Sequence, residues 1–333
     1  MNDPIPMTRR RLLKTLFCSS IAMRVNAAPP TPGSGLADAS TLDLFAIGDF
    51  GTGDEAQRAV SRGMMAYAKT LPKPIDGLLL LGDNFYGPMK EGVKSARWKT
   101  GFSDMYPSEV YPGPCWPILG NHDYHDNNGF EIQPAYAASL NRKTRWTMPG
   151  KYYRLDLPAV KPQVTLLMID TNWESINSKI HNDKPCWMPP AEKSAQMAWL
   201  EAELTKPRAP FTFVVGHHPV YSDGKHGDTP ELVNELGPLL EKHGVHLYLC
   251  GHDHDMQHLE LEKLRTSFTI SGGGGARLYE TGAVRPGSVV NEVFGFSHIS
   301  FNNDHFLFRH IDPNGKVVHA FYKNTKFEWK VKV

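Results

Sequence analysis

The sequence is poor in cysteine, and this scarcity limits its chemistry. It has four cysteines among 333 residues, and none of them forms a CxxC pair. Cys18 lies in a basic N-terminal segment, which leaves an odd set of three: Cys115, Cys186 and Cys250. This pattern supports neither a disulfide framework nor a thiolate zinc centre. A bridge from Cys115 to Cys186 stays open for an oxidising compartment, whereas Cys250 ends an apolar run and is interpreted as a small buried hydrophobic residue.

An excess of charge of one sign is also absent. The formal net charge is +1, and the first 27 residues hold five of the 36 basic residues but one of the 35 acidic ones. The remainder therefore carries a charge of about −3. Such a chain lacks the basic surface that binds nucleic acids or anionic membranes. We expect neither as a partner, and we expect a small phosphorylated molecule instead for the reasons given below.

No apolar run is long enough to span a bilayer. The run at residues 16–23 is far shorter than the roughly 20 residues that a membrane helix needs, so we expect no stable membrane insertion. It follows the basic stretch TRRRLLK and precedes a small-residue, cleavage-like site, which is the pattern of an export signal. TRRRLLK resembles the twin-arginine signal of bacteria, which predicts an exported bacterial protein, periplasmic or secreted. We divide the chain into a signal at 1–27, a linker at 28–40 and a single catalytic domain at 41–333.

Six short apolar runs, each followed by a polar cluster, organise the rest of the chain. They are LDLFAIGDFG (42–51), GLLLLGDNFY (77–86), WPILGNHDY (116–124), VTLLMIDTN (164–172), FTFVVGHHP (211–219) and HLYLCGHDH (246–254). Their length and their Leu, Val, Ile and Phe content predict strands buried on both faces. Helix-like segments at 55–69, 194–205 and 231–243 lie between several of the runs. The alternation predicts an α/β domain with a largely parallel sheet, and antiparallel strands that finish a second sheet after residue 264.

Seven oxygen and nitrogen donors follow these predicted strands. They are Asp49, Asp83, Tyr86, Asn121, His217, His252 and His254. The carboxyl ends of strands in α/β sheets border the ligand crevice, so the donors should converge there. Seven donors suit two metal ions that share a ligand, and two ions about 3.5–4 Å apart favour attack on phosphorus. Asp83 is the natural bridge, because one carboxylate can contact two cations and offset their repulsion.

Tyr86 is the least expected member of this set. A phenol has a pKa of about 10 and must lose its proton to bind a metal. A trivalent cation promotes that loss, so Tyr86 indicates Fe(III) at one position. On spacing alone, packing of Tyr86 with Phe85 at the end of the strand explains the tyrosine equally well.

Five of the polar clusters have the form of a known family. They are GDFG (48–51), GDNFY (82–86), GNHD (120–123), GHHPVYS (216–222) and GHDH (251–254). In this order they resemble the five blocks of the calcineurin-like metallophosphoesterases. The tyrosine of GDNFY resembles the purple acid phosphatases within that superfamily, particularly the small tartrate-resistant type. The similarity covers roughly residues 42–275.

The resemblance implies a fold and a metal centre. The fold is a four-layer α/β/β/α sandwich of two mixed sheets flanked by helices, with the metal site at the C-terminal strand ends. The implied ligands of Fe(III) are Asp49, Tyr86, His254 and the bridging Asp83. The implied ligands of a divalent ion, Fe(II), Zn(II) or Mn(II), are Asp83, Asn121, His217 and His252. A phenolate bound to iron would colour the protein purple to pink.

The resemblance also implies an activity, the hydrolysis of phosphate monoesters by in-line attack of a metal-bound hydroxide. Asn121, His122 and His226 would contact the substrate, and the two histidines would act as general acids or stabilise the developing oxyanion. His218 stands where a tyrosine is common and is a further candidate contact. One alternative is a phosphodiesterase or nucleotide-specific metallohydrolase of the same superfamily. A second is a non-hydrolytic iron-binding or redox protein that kept the fold.

Two segments depart from the pattern or lack an assigned role. Residues 172–193 carry two tryptophans and several prolines, and they either overhang the site or form a surface excursion. The run Gly272–Gly275 either brings backbone close to the metals or forms a flexible turn. The physiological substrate, the identity of the second metal and the oligomeric state stay open at this level.

Replacement of Tyr86 by phenylalanine tests the role of the phenol. We expect the Tyr86→Phe protein to lose its visible absorption and to retain less iron, because phenylalanine offers no oxygen to the metal. Visible spectroscopy and metal analysis of the purified variant measure both effects. An unchanged spectrum would mean that Tyr86 serves packing alone.

Overall fold

Short apolar runs fold as strands along most of the chain. The computed structural model describes residues 42–139, 144–181 and 184–332. The predicted signal and linker, with Cys18, lie outside these ranges. The strands of the described residues are β1 (Leu42–Ile47), β2 (Gly77–Leu80), β3 (Cys115–Pro117), β4 (Tyr153–Leu157), β5 (Val164–Met168), β6 (Ile180–His181), β7 (Lys184–Pro185), β8 (Phe211–Val215), β9 (Leu247–Cys250), β10 (Met256–Leu259), β11 (Ser267–Ser271), β12 (Ser288–Asn291), β13 (Phe296–Phe301), β14 (His305–Ile311), β15 (Val317–Asn324) and β16 (Trp329–Val331).

The helices are fewer and mostly short. Those of the described residues are α1 (Glu55–Ala68), α2 (Asn121–His125), α3 (Gly129–Ser139), α4 (Pro190–Thr205), α5 (Pro230–Glu235) and α6 (Gly237–Lys242), with a 3₁₀ turn at Gly92–Lys94 and a π-helical turn at Trp98–Ser103. Asp54 is the N-cap of helix α1, and its carboxylate accepts from the N–H of Gln57 (3.1 Å) in the first turn. In the described ranges, no helix has the length and apolar character needed to cross a membrane.

The single helix predicted over 231–243 is wrong. The structure has two helices there, α5 and α6, separated at Leu236. Pro238 lies in the first turn of α6. Because proline has no N–H to donate to the carbonyl four residues earlier, the helical hydrogen-bond pattern of α5 cannot continue through it.

Two mixed sheets of seven strands each form the centre of the structure. Their strand orders are β16-β15-β14-β13-β1-β2-β3 and β12-β10-β11-β9-β8-β5-β4, and β6 and β7 form a separate hairpin. Strands β1 to β3 are parallel, as are β5, β8, β9 and β11. The remaining pairs are antiparallel. The predicted architecture of two mixed sheets flanked by helices is confirmed.

The late strands do not all join the sheet to which the sequence analysis assigned them. Strands β10 to β12 complete the second sheet as expected, but β13 to β16 extend the first sheet. Strand β13 pairs antiparallel with β1, with Leu42 opposite Phe301. The expectation of a largely parallel sheet is therefore wrong, because half of the first sheet is an antiparallel meander whose partner strand lies more than 200 residues away in the sequence.

Apolar side chains fill the space between the sheets. Phe213 of β8 contacts Phe301 of β13 and Phe306 of β14, with ring centroids 5.4 and 4.9 Å apart, and these contacts join the two sheets. Val60 and Met64 of α1 belong to the same buried cluster. A second cluster lies between the outer face of the second sheet and helices α4, α5 and α6. It includes Leu200, Leu204, Leu232 and Leu240. The apolar surface buried in these two clusters is the main contribution to the stability of the fold.

The cysteines lie in these apolar regions. Cys115 and Cys250 are buried free thiols, so the bridge from Cys115 to Cys186 is not formed. The guanidinium of Arg145 approaches the sulfur of Cys115 (3.4 Å). Burial raises the pKa of Cys115 to about 12, so this thiol is protonated at neutral pH.

Glycines allow the loops after the strands to pack against one another. A Cβ at Gly272 would lie 2.0 Å from the carbonyl oxygen of Asp253 and 2.9 Å from a carboxylate oxygen of Asp49. A Cβ at Gly274 would lie 2.2 Å from the carbonyl oxygen of Gly48. Of the two readings of the glycine run, close backbone approach agrees with the structure, because a side chain at either position would push apart the loops that carry the polar clusters.

Gly120 provides a test of this packing. A Cβ there would lie 2.2 Å from both the backbone nitrogen and a carboxylate oxygen of Asp83. We expect Gly120→Ala to lower the free energy of unfolding by about 1–3 kcal/mol and to displace Asp83, as measured by denaturant unfolding and by metal content. Gly150→Ala is the matched control, since the nearest atom to its Cβ is 3.6 Å away. Equal effects of the two substitutions would contradict the predicted crowding at Asp83.

Candidate metal centre

Left-handed backbone marks the loops that follow three of the strands. Asp49 after β1, Asp83 after β2 and His252 after β9 have φ values of +56°, +50° and +73°. Non-glycine residues seldom adopt this conformation, and such strain concentrates at functional sites. In each of the three loops, the residue with the left-handed conformation is itself a predicted donor. The sheets and their loops therefore hold these side chains in orientations that a relaxed strand end would not favour.

One group of donors comes from the loops after β1, β2 and β9. Ligand atoms of Asp49, Asp83 and His254 lie within 4.8 Å of one another. The hydroxyl of Tyr86 is 3.3 Å from Nε2 of His254 and 3.5 Å from Oδ1 of Asp49. The structure therefore brings together the four residues that the resemblance assigns to Fe(III). Phe85, the neighbour of Tyr86, is buried and packs edge-on against Trp98, with ring centroids 4.9 Å apart.

A second group lies beside the first and shares Asp83 with it. The side-chain oxygen of Asn121 is 3.0 Å from Nε2 of His217 and 3.0 Å from Nδ1 of His252. Nε2 of His217 is 3.5 Å from Oδ1 of Asp83. Asp83 is therefore near donors of both groups, which is the position that a bridging carboxylate needs. All seven predicted donors converge.

Hydrogen bonds to backbone carbonyls orient two of the histidines. Nδ1–H of His217 donates to the carbonyl of Leu81 (2.8 Å), and Nδ1–H of His254 donates to the carbonyl of Arg277 (2.7 Å). Because a carbonyl only accepts, each ring must carry its proton on Nδ1, which leaves Nε2 with a lone pair for a metal. Burial lowers the pKa of His217 and of His254. Both imidazoles are therefore favoured in the neutral form that binds metals.

The acidic members of the site repel one another when no cation balances them. Burial raises the pKa of Asp49 well above its usual range, and the carboxylate of Asp83 raises it further. Burial, followed by the charges of Asp83 and Asp49, also raises the pKa of Tyr86 well above its usual range. The N–H of His252 donates to Asp49 (2.8 Å) and the N–H of His122 donates to Asp83 (2.8 Å), which offsets part of this charge. Buried acids beside neutral imidazoles fit a binuclear metal centre, since cations would remove the repulsion.

The two predicted catalytic histidines each have a carboxylate partner. Nδ1 of His122 is 2.7 Å from Asp126, and Nδ1 of His226 is 2.7 Å from Asp253. The N–H of His226 also donates to Asp253 (3.1 Å). The ring of His226 lies 4.3 Å from that of His252 between centroids, so it borders the second group of donors. Both histidines keep Nε2 for a ligand.

His218 lies deeper than a substrate contact usually does. Its Nδ1 is 2.8 Å from the hydroxyl of Thr171, and its ring is 4.5 Å from that of His252 between centroids. Ligand atoms of His217, His218 and His252 lie within 4.8 Å of one another. Burial lowers the pKa of His218 well below its usual range. His218 is thus a buried neutral neighbour of the donors, although it also borders the cavity described next.

A cavity of about 470 Å³ opens over the donors. Its floor includes Asp83, Asn121, His252 and His254, and its walls include His122, His218 and His226. Residues 175–177 and Lys179 form part of its rim. Part of the segment 172–193 therefore borders the site and is more than a surface excursion.

Sequence reasoning missed several residues that hold the site together. Asp123 accepts from the N–H groups of Asn84 (3.1 Å) and Gly120 (2.9 Å) and so ties the loop after β2 to the loop after β3. Asp253 orients His226, as described above. The ring of Tyr279 stacks on that of His254, with centroids 4.2 Å apart. Asp123 and Asp253 stand inside the GNHD and GHDH blocks, so their position in the sequence was a signal; Tyr279 lies in an irregular segment that gave none.

Comparisons with known proteins identify a family and its relatives. A family model described as calcineurin-like phosphoesterase matches residues 44–256. Human tartrate-resistant acid phosphatase type 5 is 32% identical over 302 residues, which cover 84% of this chain and 91% of the relative.

Two solved structures share the fold. A purple acid phosphatase, PPD1 from yellow lupin, superposes with a TM-score of 0.63 at 15% identity, over 86% of this chain and 54% of that one. GAP50, described as the anchor in the inner membrane complex of Plasmodium, superposes with a TM-score of 0.70 at 22% identity, over 84% of this chain and 87% of that one.

Metal removal tests the inferred repulsion between the donors. We expect a chelator to lower the thermal unfolding temperature, because a ligand that binds only the folded state adds about 4 kcal/mol at roughly 1,000 times its Kd. Differential scanning fluorimetry with and without chelator measures the shift. Asp83→Asn should respond little to the chelator, whereas the control Asp304→Asn, at an exposed position, should respond like the unmodified protein. A melting temperature that the chelator leaves unchanged would contradict a metal centre here.

Proposed function

This chain belongs to the calcineurin-like phosphoesterase family and, within it, to the purple acid phosphatases, and from that premise we propose that it is a binuclear-metal acid phosphatase that hydrolyses phosphate monoesters. The observation that carries the proposal is the convergence of seven donors in two groups that share Asp83, with the phenol of Tyr86 in one of them. The half-buried phenol of Tyr86 favours the purple acid phosphatase type over the related phosphodiesterases, whose sites usually lack a tyrosine at this position.

We assign the two groups to two different ions. Fe(III) would be held by Asp49, Tyr86, His254 and the bridging Asp83, and a divalent ion, Fe(II), Zn(II) or Mn(II), by Asp83, Asn121, His217 and His252. The raised pKa of Tyr86, caused by burial and by two carboxylates, supports the trivalent assignment, because a strong cation is needed to bind this phenol as phenolate. When bound, such ions neutralise the phosphate and activate water for in-line attack.

The residues of the chain then handle the phosphate and its protons. His122 borders the cavity, and its pKa is raised because the bond to Asp126 and nearby carboxylates outweigh the opposing effect of burial. A protonated His122 can donate from Nε2 to a phosphate oxygen. His226, whose Nδ1 is held by Asp253, is suited to protonate the departing alkoxide from Nε2. Asn121 adds a neutral oxygen, which keeps the site positive enough for a phosphate dianion.

Export to the periplasm or the outside of a bacterial cell is part of the proposal. It rests on the N-terminal sequence alone, since residues 1–27 lie outside the described part of the chain. The expected partner is a small phosphorylated substrate.

Hydrolysis of a matched pair of esters tests the proposed activity. We expect a larger kcat/KM for p-nitrophenyl phosphate than for bis(p-nitrophenyl) phosphate, an acid optimum, and a purified protein that contains iron. His226→Asn should lower kcat by about 10²–10⁴, because the general acid is lost.

His305→Asn is the control for that variant, since His305 lies on β14 of the first sheet and does not border the cavity. A colourless, iron-free and fully active protein would overturn the metal assignment. A preference for the diester would favour the phosphodiesterase alternative.

A further inference from the structure

The segment that follows β5 is an ordered strap, which we define as residues 172–179. Trp173 is fully buried, its Nε1–H donates to the carbonyl of Asp170 (3.2 Å), and the ammonium of Lys193 lies 4.1 Å from its ring centroid. Asn177 is also buried, and its Nδ2 donates to Asn172 (3.2 Å) and to the carbonyl of Cys186 (2.9 Å). The strap is therefore held at both ends, and its position over the cavity is built into the fold.

Lys179 ends the strap at the rim of the cavity. Its side chain is exposed, and it borders both the cavity over the donors and a neighbouring one of about 410 Å³. In the described ranges, no carboxylate forms an ion pair with its ammonium. Other lysines close by are paired: Lys151 with Glu192 (2.8 Å) and Lys193 with Glu235 (2.7 Å). With no carboxylate partner among the residues that the structure describes, this cation at the rim of the cavity is available for an anion.

His125 connects this lysine to the substrate side of the site. Its ring lies 6.0 Å from that of His122 between centroids, and its Nε2 is hydrogen-bonded to the side-chain oxygen of Asn177 in the strap. Burial lowers the pKa of His125, and the charge of Lys179 lowers it further. The ammonium is thus within electrostatic reach of His125, and His122, His125 and Lys179 all border the cavity over the donors.

Acidic residues of the cavity lie on a different segment. Asp228, in the loop after His226, and Glu231, in the first turn of α5, border it, and Asp228 is neutralised by Arg285 (2.7 Å). Glu231 would repel a second negative charge on the substrate. A second anionic group on the substrate is therefore expected to bind near the strap rather than near Glu231.

We propose that Lys179 is a specificity-determining residue that binds a second anionic group, a carboxylate or another phosphate, on the substrate of this enzyme. The inference rests on the proposed function and narrows its substrate class to monoesters whose leaving group is itself an anion. Lys179 contributes binding and takes no part in the chemical step, so its removal acts on KM and leaves kcat unchanged.

Three aryl esters separate the two sources of negative charge. They are phenyl phosphate, meta-carboxyphenyl phosphate and resorcinol bisphosphate. We expect Lys179→Gln to raise KM about tenfold for the second or third ester, or for both, since a charge-assisted bond is lost. KM for phenyl phosphate should stay the same. The ester that is affected identifies the carboxylate or the phosphate as the group that Lys179 binds, and Lys179→Arg should restore most of the affinity.

Lys225→Gln is the matched control, because it removes an equal charge near the site. The ammonium of Lys225 lies 4.2 Å from the ring centroid of Tyr279, and Lys225 is not among the residues that border the cavity. An equal rise of KM in the Lys225 and Lys179 variants would indicate a general electrostatic effect and would overturn the proposal. So would a rise of equal size for all three esters, or no rise for any.

A binding measurement keeps this test independent of the proposed activity. Phosphonoacetate and methylphosphonate differ by one carboxylate, and calorimetry measures the Kd of each for the metal-loaded protein. We expect Lys179→Gln to weaken phosphonoacetate about tenfold and to leave methylphosphonate unchanged. If the unmodified protein hydrolyses none of the esters, the proposed function fails while this comparison still decides the role of Lys179; equal affinities of the two proteins for phosphonoacetate would overturn that role.

Discussion

The mutual repulsion of buried acids is the constraint on which the rest of this structure depends. Asp49 and Asp83 lie side by side in the interior with a phenol beside them, and burial raises the pKa of both Asp49 and Tyr86. An apolar core of this size would be more stable without these groups. They are tolerable because the imidazoles around them are neutral and because cations can replace the water that the acids have lost.

Much of the surrounding structure serves to bring these side chains together. Strained backbone at Asp49, Asp83 and His252 turns the donors towards a common point, and glycines let the loops approach closely enough. Three further carboxylates, which are not donors themselves, position the loops and histidines around the donors. Asp123 ties two loops together, whereas Asp126 and Asp253 each hold the Nδ1 of a histidine and leave its Nε2 for the ligand. The reactive groups are therefore positioned before any substrate arrives.

The floor and the rim of the cavity have different origins. The floor follows from the sheets, since its donors Asp83, Asn121, His252 and His254 stand in the loops after β2, β3 and β9. The rim comes from the strap and from the loop after His226, which belong to no regular element of the two sheets. Because the reaction depends on the floor and selectivity depends on the rim, relatives with the same donors can accept different substrates. Lys179, which pairs with no carboxylate of the described residues, belongs to the rim.

The sequence alone identified six of the strands, β1, β2, β3, β5, β8 and β9, together with the polar clusters that follow them and their order along the chain. Apolar runs of four to six residues are local signals, and each one that ends in a polar cluster identifies a strand and a loop without reference to the rest of the chain. Tertiary structure decided what depends on distant partners. The pairing of β13 with β1 placed the last strands in the first sheet, Pro238 and the packing around it divided one predicted helix into two, and Asp253 reached His226 across 27 positions of sequence. Tertiary structure also decided the position of the strap. The burial of Trp173 and Asn177, rather than any local preference, places Lys179 at the rim of the cavity.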